Sequence, residues 1–246
     1  MTPRVFYEDE SVVLWHGDSR DVLPNLTGGG LVVTDPPYSV SVAGSSHSGR
    51  PGKGSRRLDF FTGDTDWRAT TRMAVDVLRL SLEACAPLSS LYAWVGHRQI
   101  GPVVRMVERG GRSSRLLGWV KACPAPPPPG AGWPSALEVC VYAYPAGRTW
   151  THSAQNAPRS NVFTADSFRH GQPGKVDHPT QKPECVIRPL VLASSNPGDV
   201  VIDPFSGSGT TLVVAKAEGR RAIGIEREER YCAVAAARLR QAVMFA

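Results

Sequence analysis

The chain has 246 residues, 41% hydrophobic and 20% charged, which excludes wholesale disorder and suits one α/β core while leaving a second one cramped. Its N-terminus carries no apolar signal core and no run approaches the roughly 18 apolar residues of a membrane span, so a cytoplasmic chain with no membrane partner is expected. The formal net charge of +6 favours a negatively charged partner, nucleic acid first.

Short apolar runs alternate with helix-period segments, as in a largely parallel sheet covered by helices. Val12 to Trp15 and Leu31 to Thr34 read as strands, the second running straight into Asp35. Val75, Leu78, Leu82 and Cys85 share one helix face, and Pro87 is expected to close that helix. A strand Leu91 to Val95 and a helix Ile100 to Arg109 follow, the helix stopped by Gly110 and Gly111. Leu116 to Lys121 and Glu138 to Tyr144 are two more strands, separated by the proline-rich loop Pro124 to Gly130, which cannot pair inside a sheet. Then come a helix from about Pro183 to Ser195, a turn at Asn196 to Asp199, and a strand Val200 to Asp203. After a glycine-rich turn the chain ends with a helix Thr211 to Ala217, a strand Arg221 to Ile225 and a helix from about Glu228. Ser39 to Asp66 and Pro145 to Asp177 fit no element, and loops of that length are usually functional or disordered. Basic residues gather at His47, Arg50, Lys53, Arg56 and Arg57, and again at Arg105, Arg109, Arg112, Arg115 and Lys121. Five scattered cysteines form no C-x-x-C pair, so neither a metal site nor a disulfide framework is expected.

The run Val200 to Thr211 is a buried-type strand, a turn of small residues and a helix start. Gly207 and Gly209 let backbone approach a ligand, and first-turn amides of the helix can hold a carboxylate or phosphate. No Lys follows Gly209, and the glycine spacing is not G-x-G-x-x-G. Glu226 stands beyond the next strand, where doubly wound folds place the acid that binds a ribose diol.

At Thr34-Asp35-Pro36-Pro37-Tyr38 two prolines fix the backbone and remove two donors, Asp35 adds a carboxylate and Tyr38 an aromatic face. A planar molecule with an exocyclic NH2 fits that set: the Asp35 carboxylate and the Pro36 carbonyl accept its hydrogens while Tyr38 stacks on the ring. As a bare tetrapeptide the motif also reads as a turn.

Together with Asp177-His-Pro-Thr-Gln-Lys-Pro183, these two motifs resemble the DNA amino-methyltransferases, in the subgroup whose DPPY motif precedes the cofactor motif. Gly17-Asp-Ser19, Trp119-Val-Lys121 with Glu138, and Gly224-Ile-Glu226 with Tyr231 and Arg238 are weaker matches. The resemblance implies a Rossmann-like seven-stranded sheet with helices on both faces, spanning residues 1–246 as one methyltransferase domain. Outside the resemblance, 39–66 is expected to be a mobile basic loop, and the target-recognition segment usual in the family is confined to a small insertion within 124–177. The implied cofactor is S-adenosyl-L-methionine and the implied partner duplex DNA, from which the target base is flipped. A homodimer and a cognate restriction endonuclease are further implied partners.

By similarity, Asp35, Pro36, Pro37 and Tyr38 hold the target amino group and stack on the base. Asp203, Phe205, Gly207, Ser208, Gly209, Thr210 and Thr211 line the methionine end of the cofactor, Glu226 its ribose and Asp18 its adenine. His178, Thr180 and Lys182 close the pocket from the other side. Apart from the resemblance, the basic residues Arg50, Lys53, Arg56 and Arg57 next to Tyr38 are expected to form a clamp on DNA, the alternative being a loop that only solubilises the chain. Asp35 favours adenine N6, because family members acting on cytosine N4 more often carry Ser there. Ser39 departs from the Asn that often follows the motif. Other readings are N4-cytosine methylation, an inactive methyltransferase-fold protein that binds nucleic acid, an RNA or protein methyltransferase, and a nicotinamide dehydrogenase.

Overall fold

A computed structural model describes residues 1–38, 66–124, 133–147, 151–153, 156, 160–166, 174–178 and 180–242. Nine strands form one sheet: β1 (Arg4–Glu8), β2 (Val12–His16), β3 (Gly29–Thr34), β4 (Cys85–Val95), β5 (Arg112–Lys121), β6 (Leu137–Pro145), β7 (Val162–Ala165), β8 (Val200–Asp203) and β9 (Arg221–Glu226). Their order is β1-β2-β9-β8-β3-β4-β6-β5-β7. The run from β2 to β4 is parallel throughout, whereas β6 lies antiparallel to both β4 and β5.

The helices are α1 (Ser19–Val22), α2 (Trp67–Glu83), α3 (Ile100–Arg109), α4 (Glu184–Ser194), α5 (Thr210–Ala217) and α6 (Glu229–Ala242). Strand alternation divides them between the faces. Leu31 and Val33 of β3 pack with Leu190, Leu212 and Leu239 from α4, α5 and α6, and Val32 packs with Leu78 of α2 and Val103 of α3. Each such fully buried aliphatic side chain contributes about 1.5–3 kcal/mol over leaving it in water. The three-layer α/β architecture expected from the sequence is therefore present.

Among the described residues the sheet has nine strands, not seven. The two additional strands are edge strands: β1 pairs antiparallel with β2 only, and β7 is a four-residue strand pairing with β5 only. With one side unpaired and their side chains exposed or half-buried, neither carries a continuous buried apolar run. Helix α2 also ends earlier than Pro87: Ala84 caps it, and Cys85 already sits in β4, opposite Gly29 of β3. β6 and β7 both arise from 124–177, and both belong to the main sheet. The basic loop 39–66, with Arg50, Lys53, Arg56 and Arg57, lies outside the described residues except for Asp66. In the second basic cluster Arg112 donates to the Ser89 carbonyl and Lys121 pairs with Glu138, so those two charges serve the fold and the site. No helix among the described residues is long and apolar enough to cross a membrane.

Candidate active site

The chain passes from β2 through α1 into β3 while β9 and β8 occupy the space between those strands. In open parallel sheets such a switch point leaves a crevice at the carboxyl ends of the strands, because successive crossovers leave on opposite faces. There β3 ends in the Asp35-Pro36-Pro37-Tyr38 motif and β8 ends at Asp203. The two ends are neighbours, in register Leu31 to Val201 and Val32 to Ile202, and the Thr34 hydroxyl donates to Asp203 Oδ1 at 2.7 Å. Both open into one cavity of about 500 Å³.

The acceptor half of this cavity is built around a buried ammonium. Lys182 Nζ pairs with Asp35 Oδ2 at 2.5 Å and Glu138 Oε2 at 3.1 Å, and Lys121 completes the chain to Glu138 at 2.8 Å. The Lys182 side chain is only 7% exposed, and its ammonium also faces the Trp94 ring at 5.7 Å. The other oxygen, Asp35 Oδ1, is buried and has no hydrogen-bond partner among the described residues. Burial raises the Asp35 pKa, and the Lys182 charge opposes that rise. Glu138 is also pushed up by burial, but its two lysines outweigh this and leave it below the ordinary carboxylate value. Tyr38 is raised by the Asp35 charge and by burial, so its phenol stays protonated.

The turn after β4 fixes the motif from the opposite side. Gln99 Nε2 donates to the Pro37 carbonyl at 2.9 Å while Gln99 Oε1 accepts the Gly96 N–H at 3.2 Å. A Cβ on Gly96 would stand 3.0 Å from Tyr38 Cβ and 3.2 Å from its Cγ, so the bare glycine lets the Tyr38 ring lie against the backbone. The Pro37 carbonyl is thus engaged.

The other half is a cradle of backbone. Gly207 at φ +48° and Gly209 at φ +75° take left-handed conformations that disfavour side chains. Their N–H groups turn inward: Gly207 donates to Glu226 Oε2 at 2.9 Å and Gly209 to the Ser206 carbonyl at 2.7 Å. Gly209 is buried with its Cα against Ala235 of α6, so it shapes the start of α5 from behind. Thr210 and Thr211 line the cavity at the first turn of α5, whose amides a helix leaves without partners of its own. Arg238 of α6 locks the turn, donating to the Ser208 carbonyl at 2.8 Å and Thr210 Oγ1 at 3.0 Å. Asp203 is raised to about 6 by burial, against hydrogen bonds from Thr34 and Thr211. Glu226 is raised by burial, although backbone N–H donors on both oxygens oppose the rise.

Every sequence-predicted catalytic and cofactor residue except Gly209 lines this cavity. Two do so in an unexpected way. Lys182 is committed to Asp35, and the Asp18 carboxylate caps α1 and is held from both oxygens by Arg20, at about 2 in pKa. His178 stands over Gly207, where a Cβ would meet its Nε2 at 2.8 Å, and rests edge-on against Tyr231. Burial, then the charges of Lys175 and Lys182, lower its pKa to about 4, so it is neutral at pH 7. Trp94, Gly96 and Gln99 were missed; the strand-end position of Val95-Gly96 was the signal for all three. Thr70, Met73 and Val77 of α2 also line the cavity. Among the described residues no group of three or more His, Cys, Asp and Glu is placed to hold a metal ion.

The N6/N4 methyltransferase family model, described as "DNA methylase", matches residues 131–237. The Type II methyltransferase M2.LlaDCHI of Lactococcus lactis subsp. cremoris is 28% identical over 98% of this chain and 93% of its own length. The PvuII DNA methyltransferase, titled cytosine-N4-specific, superposes with a TM-score of 0.73 at 18% identity, over 95% of this chain and 88% of that one. M1.HpyAVI, solved as a complex with SAM, superposes with a TM-score of 0.69 at 21% identity, over 93% and 99%.

Proposed function

We propose that the chain is a DNA amino-methyltransferase, as its similarity to the DNA methylase family model and to M2.LlaDCHI supports, and that it methylates adenine N6 in duplex DNA, acting on a base flipped from the stack with S-adenosyl-L-methionine as methyl donor. The observation that carries this reading is Asp35 Oδ1: a buried carboxylate oxygen without a hydrogen-bond partner among the described residues, on a side chain that lines the same cavity as the glycine cradle. An unsatisfied buried acceptor costs free energy, and an exocyclic NH2 repays it.

The cradle suits the cofactor. Each Glu226 oxygen that accepts a backbone N–H keeps a second lone pair for a ribose hydroxyl, and the first turn of α5 offers amides and hydroxyls to a carboxylate. Asp18 offers less, because Arg20 already takes both its oxygens. When bound there, S-adenosyl-L-methionine supplies an electrophilic methyl group on a sulfonium. Asp35 Oδ1 and the Pro36 carbonyl accept the two amino hydrogens, drawing the nitrogen lone pair out of the ring so that it can attack. Tyr38 stacks on the base, held by Gly96 and Gln99 through the Pro37 carbonyl. Lys182 keeps Asp35 anionic and its carboxylate plane fixed. The amino proton released on transfer passes to Asp35 or to water. Recognition of sequence falls to 124–177 outside β6 and β7.

Cytosine N4 presents the same NH2 to the same acceptors, so the base is decided by product. Purified protein is incubated with duplex DNA and S-adenosyl-L-methionine, and the digested nucleosides are analysed by mass spectrometry. N6-methyladenine is expected. N4-methylcytosine alone would move the assignment to the other base, and no methylated base from cofactor-binding protein would leave a nucleic-acid-binding module.

A further inference from the structure

Two cations beside the acceptor motif take no part in the chemistry above. The turn Gly96–Gln99 is fastened to that motif through the Pro37 carbonyl and the Tyr38 ring, and it carries Arg98 outward into solvent. The Arg98 guanidinium lies 5.2 Å from the centroid of the Trp67 ring, and that of Arg68 lies 4.8 Å from the same ring. Both arginines are exposed, and among the described residues neither forms an ion pair. Arg20, Arg188 and Arg238, by contrast, are all paired with carboxylates. The nearest acid in sequence, Asp66, caps α2 by accepting the Arg68 N–H at 2.9 Å and stands 3.8 Å from Arg72.

A guanidinium laid on an indole keeps its in-plane N–H groups available, and the aromatic face restricts its rotamers before any ligand arrives. Each fork, presented beside the N-terminus of the 17-residue helix α2, suits a tetrahedral oxyanion, to which arginine donates bidentately. Its place says which anion. One turn further along α2, Thr70 lines the cavity, and Tyr38 lines it from the side of the turn. Anions on Arg68 and Arg98 therefore sit beside the part of the cavity lined by Thr70 and Tyr38.

We propose that Arg68 and Arg98, stacked on Trp67, bind backbone phosphate of DNA beside the nucleotide whose base enters the cavity. The proposal rests on the methyltransferase reading and adds to it a phosphate site independent of the basic loop 39–66. Such a contact sets register and orientation without reading sequence.

The test is equilibrium binding of a fluorescent duplex oligonucleotide across a salt series, with the parent chain, Arg68→Ala, Arg98→Ala, the double variant and Arg98→Lys, cofactor affinity being measured alongside. Each lost phosphate contact should lower the slope of log K against log salt by about 0.9, and the double variant by about twice that. The loss should be the same for unrelated sequences, with cofactor affinity unchanged. Arg98→Lys should restore the slope but bind more weakly than the parent, because an ammonium neither stacks nor forks. A double variant with the parental slope and intact cofactor binding would overturn the phosphate site while leaving the enzymatic reading standing. A parent chain that binds cofactor but no DNA would overturn both.

Discussion

The two halves of the cavity are built by opposite means. Around Gly207 and Gly209 the polar groups satisfy one another: amides meet Glu226 and Ser206, and Arg238 ties the turn to α6. Around Asp35 the structure concentrates charge in a buried place and, among the described residues, leaves one oxygen without a partner. The cradle is thus preorganised and costs little without ligand, whereas the acceptor half carries a desolvation cost that only the substrate relieves. In the function proposed above, binding belongs to the first and chemistry to the second, so substitutions in the two halves should separate affinity for cofactor from turnover.

The sharpest separation is expected from Asp35→Ala. Turnover at saturating cofactor should fall about 10²–10⁴-fold, the range for losing a positioned proton acceptor, with cofactor affinity near the parental value. Single-turnover kinetics and cofactor titration read the two quantities. A parental rate of DNA methylation would remove Asp35 from the chemistry.

Lys182→Met tests whether the buried ammonium serves the acceptor half, as the ion pairs indicate, or the cofactor. Removing one partner of a buried pair costs about 3–5 kcal/mol, here by leaving Asp35 and Glu138 facing each other. The sign of the pH effect follows from Asp35. Its pKa is already raised by burial and held back by Lys182, and only its anion accepts both the ammonium and the amino group. Activity is present above that pKa and lost as pH falls through it. Without the Lys182 charge the pKa rises further, so the acid limb of kcat against pH should move to higher pH, and an unmoved limb would return Lys182 to the cofactor side.

The same division governs how much could be read from the sequence. Local signals sufficed where local backbone makes the feature: the parallel strands carry unbroken apolar runs, and the glycine turn and proline pair announce their own geometry. Edge strands β1 and β7 lack that run because half their surroundings is solvent. Lys182 lies 147 residues from Asp35, and nothing in its own segment shows that pairing; similarity assigns it to the cofactor side of the cavity, whereas its ion pair is with Asp35. Gln99 and Gly96 carry no motif, and act only because β4 ends beside β3.

The smallest effect, and the one confined to the cradle, is expected from Gly207→Ala. At φ +48° an alanine costs roughly 1–2 kcal/mol in backbone energy alone. Its Cβ would also stand 2.8 Å from His178 Nε2, and His178 is not free to swing aside, since Tyr231 packs edge-on against its ring at 4.6 Å. The turn must shift instead, and the Gly207 N–H to Glu226 bond goes with it, loosening the carboxylate assigned to the ribose. Cofactor dissociation constants should rise about tenfold, the equivalent of 1.4 kcal/mol, while turnover at saturating cofactor stays within a few-fold of the parent because Asp35, Lys182 and Gln99 are untouched. Isothermal titration and saturation kinetics measure the pair. If turnover fell as far as affinity, the halves would be one mechanical unit, and the hydrogen bond from Thr34 to Asp203 would be the place to look for their coupling.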